Sequence, residues 1–327
     1  MAALSLDVTV ERFPIAGTFA ISRGAKTEAV VVVATLDDGD HGGRGECVPY
    51  ARYGETVDGV HDAIVAMEPA LSGGLDRAGL QDAMPAGAAR NALDCALWDL
   101  EAKRAGKRVW EIAGLPAPVP VETVYTLSLD TPEKMGQAAA AAGRPLLKLK
   151  LSGAGDLDRV RAVRANALGA RLVVDANEAW TSDMVAPLSR DLQALGVEMI
   201  EQPLPAGSDE VLADIDHPVP LCADESAHDR ASLAALAGRY EMVNIKLDKT
   251  GGLTEALALK REAEAAGFGI MVGCMVGSSL SMAPGHLVAQ GAAVVDLDAP
   301  LWLARDRRDA MVYEGAMVQP PTAALWG

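Results

Sequence analysis

The chain has 327 residues, which is enough for one large domain or for a barrel with a smaller attached domain. It carries 29 Lys and Arg residues against 45 Asp and Glu residues, a formal net charge of −16. Nucleic acids and anionic membranes are therefore poor candidate partners, because cationic surfaces supply the attraction to both. Half of the residues are hydrophobic, which disfavours a disordered chain.

The same composition predicts a cytoplasmic protein. The N-terminal sequence Met1–Asp7 lacks the basic-then-apolar order of a signal peptide, and no apolar run is long enough to span a bilayer. The cysteines are far apart and form no CxxC motif, so we expect reduced, buried thiols rather than disulfides. They are Cys47, Cys95, Cys222 and Cys274.

The first 115 residues have the pattern of a small α+β unit. Apolar residues alternate from Leu4 to Val10, and a β-branched run lies inside Glu28–Leu36, which predicts an antiparallel sheet. Helices are predicted over Val57–Leu71 and Ala88–Ala105, the second with an i, i+3, i+4 apolar stripe. The proline-rich segment Leu115–Pro120 predicts a boundary after this unit.

From Val121 onward, short apolar segments recur with Ala-rich helical sequence between most of them. Strand–helix repeats predict a parallel sheet, and eight of them favour a closed β/α barrel. An open doubly wound sheet is the alternative, but no Gly-x-Gly-x-x-Gly turn follows the first strand. The predicted strands are Val121–Leu129, Leu146–Leu151, Arg171–Asp175, Val197–Glu201, Val219–Asp224, Met242–Leu247, Gly269–Met275 and Val294–Leu297.

Three consecutive predicted strands end in a carboxylate: Asp175, Glu201 and Asp224. In such a barrel the carboxyl ends of the strands face the active site, so these groups are expected to converge. Three converging carboxylates repel unless a cation lies between them, and an all-oxygen set favours Mg²⁺ or Mn²⁺ over zinc. The alternative for any one of them is a helix N-cap or an ordinary loop acid.

Lysines also lie near the ends of two predicted strands. Lys148 and Lys150 alternate with leucines, so both amines lie on one face of their strand, and Lys246 lies across the barrel. Amines on opposite sides of a substrate suit proton removal from one face and return to the other. A half-exposed amphipathic strand is the simpler alternative for the Leu-Lys-Leu-Lys-Leu segment.

Two further groups of charges lie near the C-terminus. Asp296 and Asp298 share one face of a short strand and predict either a solvated loop pair or a site for a cation, a second metal or a substrate ammonium. Three arginines between residues 305 and 308 alternate with acids, which predicts a solvated surface rather than a binding patch.

These strand ends together resemble the enolase superfamily, in its muconate-lactonizing-enzyme-like branch. The matching motifs are Lys148-x-Lys150, Asp175-x-Asn177, Glu201-Gln-Pro, Asp224-Glu225 and Lys246. The resemblance implies an α+β capping domain over 1–115, a modified TIM barrel over 116–300, and a segment 301–327 that returns to the cap. It also implies Mg²⁺, with Mn²⁺ as a substitute, and an architecture that often assembles into homo-oligomers. A lysine base with Mg²⁺ stabilising an ene-diolate is known chemistry of this superfamily.

Within that branch the sequence is most similar to the dipeptide epimerases that act on L-Ala-D/L-Glu. Met242–Ala256, Cys274-Met275 and Asp296-x-Asp298 carry this similarity. It implies inversion of the C-terminal residue's α-carbon through an enediolate, and a part in murein peptide recycling. The implied acid/base residues are Lys150 and Lys246, with Asp175, Glu201 and Asp224 on the metal. The implied substrate-binding residues are Arg23 for an acidic side chain, Lys148 for the carboxylate, Asp296 and Asp298 for the α-ammonium, and Thr126 and Cys274 in the lining.

Two other functions stay open on the sequence. The chain resembles other members of the branch, namely cycloisomerases, o-succinylbenzoate synthases and N-acylamino acid racemases, whose substrates lack a free ammonium. A non-catalytic binding barrel is the third alternative, although a binding protein has no need of opposed bases.

Overall fold

The computed structural model describes residues 4–327. The prediction about the N-terminal sequence concerns Met1–Asp7, and its first three residues lie outside the described residues. The N-terminal unit is a three-stranded antiparallel sheet in the order β1-β2-β3, covered by helices. Its strands are β1 (Ser5–Ile21), β2 (Gly24–Asp37) and β3 (Gly42–Cys47), and its helices are α1 (Val57–Val65), α2 (Glu68–Ser72), α3 (Arg77–Ala83), α4 (Ala88–Ala105) and α5 (Val109–Ile112). The predicted helix over 57–71 is thus two helices, with Pro69 in the first turn of α2.

The central strand β2 is buried on both faces, which explains its unbroken β-branched run. Val31 and Val33 belong to the core shared with the barrel, whereas Val32 and Leu36 pack under the cap helices. Helix α4 packs directly on β3 because β3 has glycines at the positions that the helix contacts. A Cβ at Gly45 would lie 2.0 Å from the carbonyl oxygen of Ala92.

The remainder of the chain forms the predicted barrel, with eight parallel strands adjacent in sequence order from β5 to β12. The two ends are joined by a hydrogen bond from the Val124 N–H to the Val295 carbonyl, 2.8 Å long. The strands are β4 (Val121–Glu122), β5 (Tyr125–Leu127), β6 (Leu146–Lys150), β7 (Arg171–Asp175), β8 (Val197–Glu201), β9 (Leu221–Ala223), β10 (Met242–Ile245), β11 (Gly269–Val272) and β12 (Val294–Val295), and β4 lies outside the barrel. The helices are α6 (Pro132–Ala142), α7 (Asp156–Asn166), α8 (Ser182–Ala194), α9 (Leu233–Leu236), α10 (Leu247–Thr250), α11 (Leu253–Ala265) and α12 (Ser279–Val288).

The period of two residues along each strand sorts the barrel into an inside and an outside. Leu147, Leu149 and Leu151 point outward into the core under the helices. The inward positions begin with a separate apolar cluster, one residue from each strand or its N-terminal edge, which we call the apolar floor. It consists of Val124, Leu146, Val173, Met199, Cys222, Met242, Met271 and Val294.

After the barrel the chain runs back along the cap. Two short strands, β13 (Tyr313–Glu314) and β14 (Met317–Val318), pair with each other, and β14 also pairs with β4. The indole N–H of Trp326 donates to the Cys95 carbonyl of α4. The predicted solvated surface is wrong for Arg307. Its side chain is only 12% exposed, because its guanidinium pairs with the buried Glu46 of β3 at 2.6 Å.

The structure bears on two predictions, that no segment spans a membrane and that the cysteines are buried free thiols. No helix within residues 4–327 is long and apolar enough to cross a membrane. All four cysteines are free thiols, and three are buried as predicted, whereas Cys274 is partly exposed.

Candidate active site

The barrel strands carry a layer of polar side chains directly above the apolar floor. Because interior positions recur every second residue, this charged layer lies two residues after the floor on each strand. It consists of Thr126, Lys148, Asp175, Glu201, Asp224, Asn244 and Asp296, with Gly273 at the corresponding position after β11. The structure thereby brings together six predicted site residues: the three metal carboxylates, Lys148, Asp296 and Thr126.

The carboxylates in this layer are fully buried and held by strand register. Asp175 and Glu201 pair across β7 and β8, and Asp224 follows β9 directly. All three are at most 2% exposed. Burial and the charge of Asp175 raise the pKa of Glu201 to about 7. For Asp175, Lys150 and Lys148 outweigh the effect of burial and lower its pKa to about 2.

Lys148 supplies positive charge in the middle of this cluster. Its Nζ lies 2.6 Å from Glu201 Oε2, 2.6 Å from Asp296 Oδ2 and 3.4 Å from Asp175 Oδ2. Burial alone lowers the pKa of Lys148, but these three carboxylates outweigh it and raise the pKa well above its usual range. Within residues 4–327, no three acidic, His or Cys side chains are arranged around an open metal position, since lysines lie between the carboxylates.

The donor set nevertheless fits a hard divalent cation. The oxygens come from three neighbouring strand ends, without nitrogen or sulfur, as Mg²⁺ prefers. Glu201 Oε2 is buried and accepts no well-formed hydrogen bond from any described residue, although Lys148 lies close to it. A cation would supply the charge that Lys148, Lys150 and Lys246 supply in this structure.

The two predicted acid/base lysines lie on opposite sides of the barrel. Lys150 ends β6 and Lys246 follows β10, and these strands are four positions apart in a ring of eight. Lys150 Nζ lies 2.6 Å from Asp175 Oδ2, and Lys246 Nζ lies 2.7 Å from Asp224 Oδ2. Burial lowers the pKa of Lys246, but Asp224 and Glu201 outweigh it and raise the pKa well above its usual range.

Three residues that we did not predict complete the support of this layer. Lys249 is buried, and its Nζ donates to Asp224 Oδ1 at 2.6 Å and to the Asn244 carbonyl at 2.9 Å. Asn244 donates to Glu201 Oε1 at 2.7 Å. Gly273 leaves room for both neighbours, since a Cβ there would lie 2.7 Å from Asn244 Oδ1 and 3.0 Å from Lys246 Cε. Only the position of Asn244, two residues before Lys246, could have indicated such a role.

Asp296 and Asp298 differ in what they contact. Asp296 pairs with Lys148, whereas Asp298 forms no ion pair among the described residues and accepts from the Thr126 N–H at 2.6 Å. Burial and the charge of Asp296 raise the pKa of Asp298 to about 7. Asp298 is therefore a buried acid whose charge a cationic ligand group would stabilise.

The cap covers the mouth of the barrel and encloses a cavity of about 640 Å³. From the cap, Arg23 reaches across the mouth to barrel loops, with its guanidinium 2.6 Å from Glu225 Oε1 and 3.1 Å from Glu178 Oε2. Lys26 also lines the cavity, near the Tyr50 ring, and pairs with no acid among the described residues. Nine of the eleven predicted site residues line the cavity: Arg23, Thr126, Lys148, Lys150, Asp224, Lys246, Cys274, Asp296 and Asp298. Asp175 and Glu201 contact its lysines instead.

Comparison with known proteins gives two family matches and close relatives. Residues 3–114 match the mandelate racemase / muconate lactonizing enzyme N-terminal domain, and residues 130–324 match the enolase C-terminal domain-like family. The chain is 46% identical over 312 residues to the L-Ala-D/L-Glu epimerase of Escherichia coli K12, covering 94% of this chain and 97% of that protein. It is 44% identical over 300 residues to an N-acetyl-D-glutamate racemase of a Pseudoalteromonas species, covering 91% and 95%.

A solved structure agrees over almost the whole chain. An enolase family member from Agrobacterium tumefaciens with homology to dipeptide epimerases, solved with sodium and L-Ala-L-Glu, superposes with a TM-score of 0.97. It is 55% identical and covers 99% of this chain and 100% of that one. More distant dipeptide epimerases have been solved with Mg and a dipeptide. The chain belongs to the mandelate racemase and muconate lactonizing enzyme family of the enolase superfamily, as its strand-end motifs predicted.

Proposed function

We propose that the protein is a Mg²⁺-dependent dipeptide epimerase that inverts the α-carbon of the C-terminal residue of substrates such as L-Ala-L-Glu. The observation that carries this proposal is the arrangement of Lys150 and Lys246 on opposite sides of one cavity, above three buried carboxylates, with Asp298 at its side. A relative that is 46% identical is an L-Ala-D/L-Glu epimerase. The proposal includes the recycling of murein peptides as the cellular role.

The two lysines would exchange roles between the two epimers. One amine, in its neutral form, removes the α-proton from its face, and the ammonium opposite it returns a proton to the other face. Lys246 must first lose the proton that Asp224 and Glu201 stabilise. Engaging those carboxylates with a cation removes that stabilisation, so loading of the site and activation of the base are coupled.

Asp175, Glu201 and Asp224 would hold Mg²⁺, which when bound stabilises the negative charge that develops on the substrate carboxylate. Lys148 contacts all the acids of this layer except Asp224 and is placed to assist the same carboxylate. Lys249 holds Asp224 through both its side chain and its carbonyl. The register of β7 and β8 thus fixes two ligands, and Lys249 fixes the third.

The N-terminal ammonium and the C-terminal side chain of the dipeptide would bind to different parts of the cavity. Asp298, with Asp296, would bind the α-ammonium, a role that a buried acid with no cationic partner suits. An acidic side chain on the C-terminal residue would meet the cap. Arg23 is the residue that we predicted for this role, but its charge is already paired with Glu225 and Glu178, so the amine of Lys26 is placed to share it.

Racemisation of N-acylated amino acids is the second candidate, and it is favoured by the 44% identical N-acetyl-D-glutamate racemase. Such a substrate has the same carboxylate and α-proton but no ammonium. It would give Asp298, whose pKa burial raises to about 7, no cationic partner, so this buried acid would take up a proton and would have no binding role. The buried acid therefore favours the dipeptide.

The test is proton NMR of L-Ala-L-Glu in D₂O with enzyme and Mg²⁺, beside an EDTA control and beside N-acetyl-L-glutamate. We expect metal-dependent loss of the Glu α-proton signal together with growth of the L-Ala-D-Glu signals. Faster exchange of N-acetyl-L-glutamate would replace the proposal with the second candidate. Exchange that persists in EDTA would contradict the role of the three carboxylates.

A further inference from the structure

Two residues, one of them aromatic, lie between the cavity and a second, neighbouring depression. The side groove, as we call it, has a volume of about 360 Å³ and lies between β5 and α6. Thr126 and Trp302 line both the cavity and the side groove. The groove is lined mainly by small and apolar side chains, namely Leu127, Met135, Ala138, Ala141 and Ala142, and Ser128, Asp130 and Lys134 add polar groups.

Trp302 is held in this position by contacts with two aromatic rings. Its ring and that of Phe19 of the cap pack in a T-shaped arrangement with centroids 5.0 Å apart, and it stacks on Tyr125 at 6.1 Å. Phe19 lines only the cavity and Tyr125 only the groove. The indole is therefore a wall with substrate space on one side and the empty groove on the other.

The wall lies beside the end of the cavity where the ammonium would bind. Trp302 ends a 3₁₀ helix that begins directly after Asp298, and Asp298 accepts from the Thr126 N–H. The reacting α-carbon would lie between Lys150 and Lys246, farther into the barrel. A substrate whose ammonium is bound at Asp298 therefore directs the side chain of its N-terminal residue at Trp302, and that of its C-terminal residue at the cap.

We propose that Trp302 determines the size of the N-terminal residue, restricting it to small side chains, and that the side groove is an extension of that subsite from which the indole separates the cavity. The groove would take an aliphatic or aromatic side chain once the indole is removed, since its lining matches such groups. This inference rests on the proposed dipeptide epimerase function and adds a specificity-determining residue to it.

The experiment compares wild type with Trp302→Ala on three dipeptides: L-Ala-L-Glu, L-Phe-L-Glu and L-Ala-L-Phe. In Trp302→Ala we expect kcat/KM for L-Phe-L-Glu relative to L-Ala-L-Glu to rise at least about tenfold, the discrimination typical of hydrophobic pockets. L-Ala-L-Phe, which places the same ring at the C-terminal position, should show no such gain. Trp302→Leu serves if the alanine variant does not fold.

A second substitution tests whether the groove itself receives the side chain. Ala138 is exposed on α6 and lines the groove but not the cavity. Adding Ala138→Phe to Trp302→Ala refills the groove and should reverse the gain for L-Phe-L-Glu, while L-Ala-L-Glu is still epimerised.

The outcomes separate this inference from the proposed function. Wild-type enzyme that fails to exchange the α-proton of L-Ala-L-Glu would overturn the proposed function. Active, folded Trp302 variants with an unchanged preference between L-Phe-L-Glu and L-Ala-L-Glu would overturn the role of Trp302 alone. A gain that survives Ala138→Phe would remove the side groove from the subsite.

Discussion

The charged layer of the barrel and the cap side of the cavity both contain ionised groups, but these groups differ in burial and in the backbone element that carries them. Lys148, Asp175 and Glu201 are at most 1% exposed and lie on strands whose register fixes them. Arg23 lies in the two-residue turn between β1 and β2, and its side chain is 27% exposed. For the proposed function, this difference predicts that the barrel fixes the reacting groups and that the cap contacts the side chain of the C-terminal residue.

The strongest way to test this prediction is to remove a reacting group. Lys150→Ala and Lys246→Ala should each lower the rate of inversion by about a thousandfold or more, because one face of the α-carbon loses its acid or base. The measurement is NMR exchange in D₂O starting from each epimer separately. Residual exchange should be confined to the epimer whose proton faces the remaining lysine. Lys107→Ala, at an exposed position, is the control, and inversion at a tenth of the wild-type rate in either variant would contradict the two-base assignment.

A single methyl group should break the charged layer without removing any functional group. In Gly273→Ala the new Cβ would lie 2.7 Å from Asn244 Oδ1 and 3.0 Å from Lys246 Cε, so Lys246 must shift. We expect kcat to fall by about a hundredfold, the typical effect of a displacement near 1 Å. Gly169→Ala is the matched control, since a Cβ there meets nothing within 4 Å. Equal kinetics in the two variants would contradict the close packing around Lys246.

At the side of the cavity, Asp298→Asn should weaken substrate binding while leaving the lysines intact. The amide keeps an acceptor for the Thr126 N–H but loses the charge that would pair with an α-ammonium. We expect KM for L-Ala-L-Glu to rise about 10- to 100-fold, the range for a hydrogen bond to a charged group, with a smaller change in kcat. An unchanged KM would assign the ammonium elsewhere.

On the cap side the effects should be smaller and selective. Lys26→Met should lower kcat/KM for L-Ala-L-Glu about tenfold while leaving L-Ala-L-Gln nearly unchanged, because only the acidic side chain needs the amine. Lys26→Arg keeps the charge and is the control. Arg23→Ala should also reduce the preference for Glu, but it breaks the contacts with Glu225 and Glu178 as well. Equal losses for both dipeptides in Lys26→Met would exclude a role in reading the side chain.

The same two regions differ in how far the sequence predicts them. The period of two residues and the strand ends predicted the barrel, the convergence of Asp175, Glu201 and Asp224, and the opposite placement of Lys150 and Lys246. The contact of Lys249 with Asp224 could not be predicted, because a lysine one turn into a helix has the pattern of an exposed residue. The role of Trp302 could not be predicted either, since residues of β5, α6 and the 3₁₀ helix, which are far apart in sequence, line the side groove together. Long-range contacts of this kind have no local signature.

The interface between α4 of the cap and the segment that begins α11 of the barrel, which we call the seam, should affect the free energy of unfolding rather than the rate of epimerisation. Asp94 of α4 is fully buried against Gly252 and accepts from the Thr254 N–H at 2.9 Å and from Gln81 Nε2 at 3.0 Å. Burial raises its pKa from 3.8 to about 6. The folded state therefore binds a proton more tightly than the unfolded state, and this carboxyl makes folding less favourable as pH rises from about 4 to about 6.

Asp94→Asn removes that dependence, since the amide stays neutral. Its oxygen can still accept from the Thr254 N–H, and its NH₂ can donate to Gln81 Oε1, which is buried without a partner among the described residues, once the Gln81 amide flips. We expect the variant to gain free energy of unfolding relative to wild type as pH rises from 4 to 7, by up to about 3 kcal/mol for a shift of about two pKa units. Urea unfolding at both pH values measures it, with kcat for L-Ala-L-Glu as a check that the barrel is undisturbed. A difference between variant and wild type that is the same at pH 4 and pH 7 would mean that Asp94 does not titrate in this window, and that the seam is stabilised by its hydrogen bonds alone.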